Sequence, residues 1–361
     1  MKLRREPIPA FLSIDVEPDS LQMRRGERDY WPGYHTTYEL AEWLRRELAQ
    51  VSGTKPIFGW YFRTDPQIEQ VCGRADFALT AFPQRTAALR EVGDYFGVHP
   101  HALRWSDTQR LWIHDFGDRQ WLRDSTQFAL DAFAAWNGSP AQYFRSGAGF
   151  MCNDIVDVVD KSGVALDLGL EPVAGWGINS KVVHGSIDKS PIVGEYTNCV
   201  TAPRTPYHPS YEDFRNAGDR DARRILFIPL TTGSGVLPQR GLVSALKRRL
   251  RGEPQPRDPV RMLYPTEDDW TERCFWDLVA QSLKSMDRPY LSLAIRTDRR
   301  ESLRGSRIGR VFAALTQHPL ARRLRFVNPL DMKEQIAPEP ASHDRVRGSM
   351  PIEAGATSCS G

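Results

Sequence analysis

Apolar and polar positions along this chain fall into short buried-type runs that alternate with amphipathic stretches. Residues 10–18 read A-F-L-S-I-D-V-E-P, an apolar run without helical period that ends in Asp15 and Glu17, and residues 11–16 are therefore predicted to form a strand. Thr36 and Glu39 have capping-box spacing, and Leu40, Leu44 and Leu48 follow at intervals of four; this predicts a helix with one apolar stripe. An aromatic strand is expected at residues 57–62. Asp65-Pro66 then suits an N-cap followed by proline at the first helical position. Further helices are predicted at 86–92, 125–136, 153–161 (with Gly163 at its C-terminal cap), 267–286 and 307–315, and strands at 95–99, 142–145, 165–170, 224–230, 290–295 and 324–327. Repeated strand–helix units favour a parallel sheet or barrel, in which functional groups gather at the C-terminal strand ends.

Two segments break this rhythm. Residues 171–221 are rich in Gly, Pro, Asn and Tyr, and residues 233–265 are irregular around a basic stretch at 242–251, L-V-S-A-L-K-R-R-L-R. The basic stretch reads as a solvated amphipathic helix, with contact to a phosphate or anionic carrier as the alternative. Residues 337–361 hold Pro, Ser, Gly and charge and are expected to be a disordered tail.

Composition narrows the function classes. The 361 residues are 40% hydrophobic and 26% charged, which suits a globular enzyme. A net charge of +3 gives no argument for nucleic acid or a membrane surface. Cys72, Cys152, Cys199, Cys274 and Cys359 are scattered, without C-x-x-C spacing, which argues against a disulfide framework and fits a reducing compartment. The first residues carry charge but no apolar core, and no apolar run is long enough to span a bilayer. A soluble, cytoplasmic protein is expected; the sequence leaves its oligomeric state open.

The candidate chemistry lies at two strand ends. In a strand, side chains at i and i+2 share a face. Asp15 and Glu17 can therefore point together, and so can His99 and His101 in G-D-Y-F-G-V-H-P-H-A-L-R-W, residues 93–105. Two carboxylates and two imidazoles meet the needs of a catalytic divalent ion: three ligands, an open position, and a base for water.

F-L-S-I-D-V-E-P resembles the first motif of the NodB-like polysaccharide deacetylases, in a variant with D-V-E in place of adjacent aspartates. The histidine segment resembles that of the WbmS-like branch. W-Y-F-R-T-D-P-Q-I at 60–68, F-R-S-G-A-G-F-M at 144–151, G-V-A-L-D-L-G-L-E-P at 163–172 and S-L-A-I-R-T-D at 292–298 follow in the order of that branch. The resemblance spans residues 8–330. It implies a distorted (β/α) barrel in a single catalytic domain, residues 1–336, with irregular insertions at 171–221 and 233–265. It also implies metal-dependent hydrolysis that removes an acetyl group from an N-acetylated sugar or glycan precursor. By motif, Asp15 would be the general base, Arg145 would hold it ionised, and Glu17, His99 and His101 would bind one divalent ion, zinc first, with cobalt, manganese or nickel as alternatives. The backbone at Gly147 and Ala148 would face the developing oxyanion.

Three departures mark this chain. The histidines are spaced H-P-H instead of H-x-x-x-H. The arginine motif reads Arg145-Ser146-Gly147-Ala148-Gly149. Arg296 stands where the family has an acid histidine, and a guanidinium does not release its proton near neutral pH. Arg296, His208 and Trp60 are expected to contact substrate, which is a carbohydrate, nucleotide- or lipid-linked, with no nucleic-acid partner. His184 and His208 remain as proton-donor candidates. Asp94 either orients a ligand or caps a strand start. Trp60, Tyr61, Trp105 and Trp112 either pack in the core or offer a sugar platform, and one of Asp167 and Glu171 can face substrate. Two other functions stay open: a non-catalytic glycan-binding barrel, and a metal hydrolase of the amidohydrolase kind acting on another amide.

Overall fold

β1 (Ile8–Val16) is buried along its length except at Pro9, as a central strand covered on both faces must be. The structure, a computed structural model, describes residues 6–26, 30–173, 190–219, 221–234, 260–263, 272–298 and 307–337. Around β1 run β2 (Gly59–Phe62), β3 (Tyr95–Val98), the hairpin β4 (Leu103–Ser106) and β5 (Leu111–Asp115), then β6 (Tyr143–Phe144), β7 (Leu166–Asp167), β8 (Ile192–Val193), β9 (Leu226–Phe227), the antiparallel pair β10 (Thr232–Ser234) and β11 (Val260–Met262), β12 (Leu291–Arg296) and β13 (Leu324–Phe326). The main sheet is parallel, in the order β12-β1-β2-β3-β6-β7-β9, with β13 also paired to β1. Its two ends meet where the Thr231 N–H donates to the Ser292 carbonyl at 2.9 Å and the Ser292 N–H donates to Thr231 Oγ1 at 2.9 Å.

Helices α1 (Pro32–Ser52), α2 (Pro66–Cys72), α3 (Phe77–Thr80), α4 (Pro83–Glu91), α5 (Arg119–Asn137) and α6 (Asn153–Lys161), and the later helices Glu272–Ser285 and Arg307–Gln317, belong to the outer layer. The α2 start is as expected, with Asp65 accepting from the Gln67 N–H at 3.2 Å. The α1 start is not. Thr36 lies inside the helix and bonds back to the Gly33 carbonyl. Pro32 occupies the first turn, and Asp19 from the β1 loop accepts the Gly33 N–H at 2.9 Å, so a distant carboxylate supplies the cap that local pattern assigned to Thr36. Three expected strands shrink to two-residue ladders. In β7, Asp167 Oδ1 takes the N–H groups of Gly169 and Leu170, and after β9 Pro229 has no N–H to offer. The basic stretch 242–251, His184 and residues 338–361 of the expected tail lie outside the described residues.

The period-two alternation of the strands separates two cores. Leu12, Ile14 and Val16, Trp60 and Phe62, and Phe96 and Val98 face outward into the large helix-side cluster. Phe11, Tyr61, Tyr95, Tyr143 and Tyr290 fill the barrel interior. Glycines make room for those rings: a Cβ on Gly59 would stand 2.4 Å from the Tyr95 ring, and one on Gly97 2.6 Å from the Tyr61 ring. The next inward positions toward the C-terminal end are Asp15 and Glu17, Arg63, His99, Arg145 and Arg296. Among the described residues no helix is long and apolar enough to cross a membrane.

Candidate active site

The residues just past the strand ends converge above this aromatic plug. Arg145 grips Asp15 with two parallel bonds, Nε to Oδ1 at 2.7 Å and Nη2 to Oδ2 at 3.0 Å. Its Nη1 donates to the Leu168 carbonyl, and its guanidinium lies 5.6 Å from the Tyr61 ring centroid. Both partners of this ion pair are buried, and the fork geometry fixes the carboxylate plane as well as its charge.

Glu17, His99 and His101 present ligand atoms that all lie within 4.8 Å of one another. His99 Nδ1–H donates to the Arg145 carbonyl at 3.0 Å, which orients the ring with Nε2 toward the other two residues. That Nε2 stands 3.3 Å from Glu17 Oε1 and 3.3 Å from His101 Nε2, and His101 Nε2 stands 3.3 Å from Glu17 Oε2. Glu17 Oε2 has no hydrogen-bond partner among the described residues. Burial, and then the Arg63 cation, pushes the His101 pKa down to about 4, so this imidazole is neutral near pH 7. Burial favours the neutral form of Glu17, but Arg296 and the two histidines outweigh it and hold the carboxyl well below its ordinary value. A buried carboxylate and two imidazoles whose ligand atoms lie within 4.8 Å of one another fit a divalent cation with nitrogen and oxygen ligands.

Sequence reasoning missed the support beneath His101. Arg63 is fully buried. It bonds Asp65 through Nε and Nη2 and Gln67 Oε1 at 2.8 Å, and its Nη1 lies 3.9 Å from Glu17 Oε2. Asp65, besides capping α2, accepts the His101 backbone N–H at 3.1 Å. Burial would raise the Asp65 pKa, but Arg63 and the His101 contacts keep it below its ordinary value. The available signal was positional: Arg63 follows β2 as His99 follows β3 and Arg145 follows β6. His114 on β5 was missed without any local signal. It is buried with its ring 5.6 Å from that of His101, and burial, then His101 and Arg63, depress its pKa well below the ordinary value.

Several expected roles are corrected. Trp60 is fully buried on the outward face and donates from Nε1 to Asp94 at 2.8 Å; its even position along β2 turns it away from the barrel interior, so it does not line the site. Asp94 is a strand-start clamp that also holds both Arg45 Nη atoms and the Phe58 N–H. His208 Nδ1 donates to the Ile225 carbonyl at 2.9 Å, on the N-terminal side of β9 and away from the cluster. The Gly147 N–H is committed to the Pro100 carbonyl at 2.9 Å and is no oxyanion donor. Gly147 instead lies flat against His101: a Cβ there would stand 2.0 Å from the imidazole Cδ2. Arg296 does reach the cluster, with Nε 3.2 Å from Glu17 Oε1.

Asp167 has the parity opposite to the inward-facing Leu166 and Leu168, so it does not face substrate. Burial, against two backbone N–H groups and Arg145, pushes its pKa up to about 7, and Oδ2 has no hydrogen-bond partner among the described residues. The unfolded carboxyl ionises near 3.8, so between these two values the folded chain binds more protons. Its contribution therefore favours folding least at high pH, a loss of about 4 kcal/mol by pH 8. D167N keeps the accepting oxygen and removes the charge. It is expected to raise the unfolding midpoint over wild type at pH 8, with an advantage that fades toward pH 4; an equal advantage at pH 4.5 and pH 8 would reject this account.

No family model and no curated protein matches the chain. Among solved structures it is similar to a candidate glycoside hydrolase/deacetylase from Parabacteroides distasonis, with 14% identity, TM-score 0.53, and coverage of 93% of this chain and 72% of that one. A candidate polysaccharide deacetylase from Mycobacterium smegmatis also matches, with 10% identity, TM-score 0.45, and coverage of 92% and 90%. The fold shared with the Parabacteroides distasonis structure is a distorted (β/α) barrel.

Proposed function

We propose that this chain is a metal-dependent carbohydrate N-deacetylase of the NodB-like superfamily, WbmS-like branch, that removes acetate from an N-acetylated sugar precursor. The observation that carries the reading is the convergence of Glu17, His99 and His101 beside an Arg145-clamped Asp15 at one end of the barrel. A divalent ion held by Glu17, His99 and His101, zinc first and otherwise cobalt, manganese or nickel, would supply Lewis acidity to the amide carbonyl and to water.

Asp15 takes a proton from the attacking water as general base. Arg145 fixes its plane through two parallel bonds. Arg296 is a permanent cation and His101 is neutral near pH 7, so Asp15 also returns the proton to the leaving nitrogen. Water and amide thus become acetate and a protonated amine, both water protons ending on nitrogen. Arg296, at the rim of the cluster, suits a phosphate on a nucleotide- or lipid-linked sugar.

Acetate release from nucleotide-linked, lipid-linked and unphosphorylated N-acetyl sugars, measured with and without chelator, tests this reading. Release from a phosphorylated substrate is expected to fall at least about 100-fold on chelation and to return with added zinc. No acetate from any of the three, together with no divalent ion in the purified protein, would leave the non-catalytic glycan-binding barrel as the better account. The amidohydrolase reading is disfavoured by position: its H-x-H pair belongs on the first strand, whereas His99 and His101 follow β3.

A further inference from the structure

Arg296, Thr297 and Asp298 leave the end of β12 directly beside Glu17. β12 and β1 run parallel in a register that pairs Asp15 with Arg296. Thr297 then fixes the segment against Glu17 through two bonds: its hydroxyl donates to the Glu17 carbonyl at 2.7 Å and accepts the Glu17 N–H at 2.8 Å. With the backbone held there, the Arg296 guanidinium lies between two carboxylates. Nε is 3.2 Å from Glu17 Oε1 and 3.0 Å from Asp298 Oδ1, and Nη2 binds Asp298 Oδ2. Glu17 Oε1 is the oxygen that faces His99 Nε2 at 3.3 Å. The arginine therefore addresses an oxygen belonging to the three-residue ligand set.

We propose that Arg296 is a positioning residue that lowers the affinity of the Glu17–His99–His101 site for its divalent ion, and that Asp298 limits how far it does so. The guanidinium competes with the ion for Glu17 Oε1 and repels a second cation at short range. Repulsion between charges a few ångströms apart is strong where water is largely excluded, and Arg296 retains only 22% of its side-chain exposure. Asp298 acts in the opposite direction by drawing the same guanidinium away from Glu17 and cancelling part of its charge. The two residues then have opposite effects on one equilibrium, a pattern that loss of local structure does not produce. This inference rests on the metal-binding reading given above.

The test is zinc affinity of metal-depleted protein, measured by competition with a chromophoric chelator, for wild type, R296A, R296Q, D298N and R296A/D298N. Thermal midpoints are recorded alongside, and R296Q keeps a neutral side chain of similar shape in case R296A unfolds. R296A and R296Q are expected to bind zinc at least about tenfold more tightly than wild type. D298N is expected to bind about threefold to tenfold more weakly, and the double variant is expected to follow R296A because the effect proposed for Asp298 runs through Arg296. Equal or weaker zinc binding by a folded R296A and R296Q overturns the inference and leaves the metal reading intact. Failure of every variant, wild type included, to bind zinc, cobalt, manganese or nickel overturns both.

Discussion

Arg145→Met is expected to destabilise the protein by about 3–5 kcal/mol, the cost of stranding one member of a buried ion pair. Arg145 and Asp15 are both almost fully buried, so bulk solvent does not readily replace the lost cation. The substitution also removes the donor to the Leu168 carbonyl and takes a cation from above the Tyr61 ring. Much of the loss comes from the Asp15 charge that remains, so D15N/R145M is expected to be more stable than the sum of the single variants predicts. Urea unfolding of the four proteins in the cycle measures this coupling. If R145M falls within about 1 kcal/mol of wild type, Asp15 is not held as an ion in the folded protein.

The second large effect separates Asp15 from Glu17. D15N is expected to keep zinc binding, since Glu17, His99 and His101 are untouched, and to lose acetate release by about 10²–10⁴-fold, the usual contribution of a general base. E17Q removes the anionic ligand itself. Its zinc affinity is expected to drop by more than the roughly 10–100-fold typical of losing a supporting partner, and excess metal is not expected to restore turnover. Chelator competition and acetate release on the same preparations give both readouts. Loss of zinc binding in a folded D15N would move Asp15 into the ligand set and leave the base unassigned.

The strand–helix order, the parallel sheet and the four residues Asp15, Glu17, His99 and His101 were all legible in the sequence. The reason is local: period-two alternation sends every second side chain into the barrel interior, and Phe11, Ser13, Asp15 and Glu17 share that parity, as do Tyr95, Gly97 and His99. The same rule applied to β2, with Tyr61 facing inward, turns Trp60 away from the interior and points to Arg63, which the sequence reading passed over. Helix and strand ends were less legible because distant groups decide them. Asp19 caps α1, and the Asp167 side chain ends the β7 ladder.

What the sequence by itself determined is which residue types stand at which strand ends. The tertiary structure decided which of them touch. The order β12-β1-β2-β3-β6-β7-β9 brings Arg145 to Asp15 across 130 residues of chain and Arg296 to Glu17 from the far end of the fold. The same tertiary fold places Arg63 beside Glu17 and His114 beside His101, and removes His208 from the cluster. Such contacts depend on strand register and ring closure, properties of the whole sheet that no local spacing encodes.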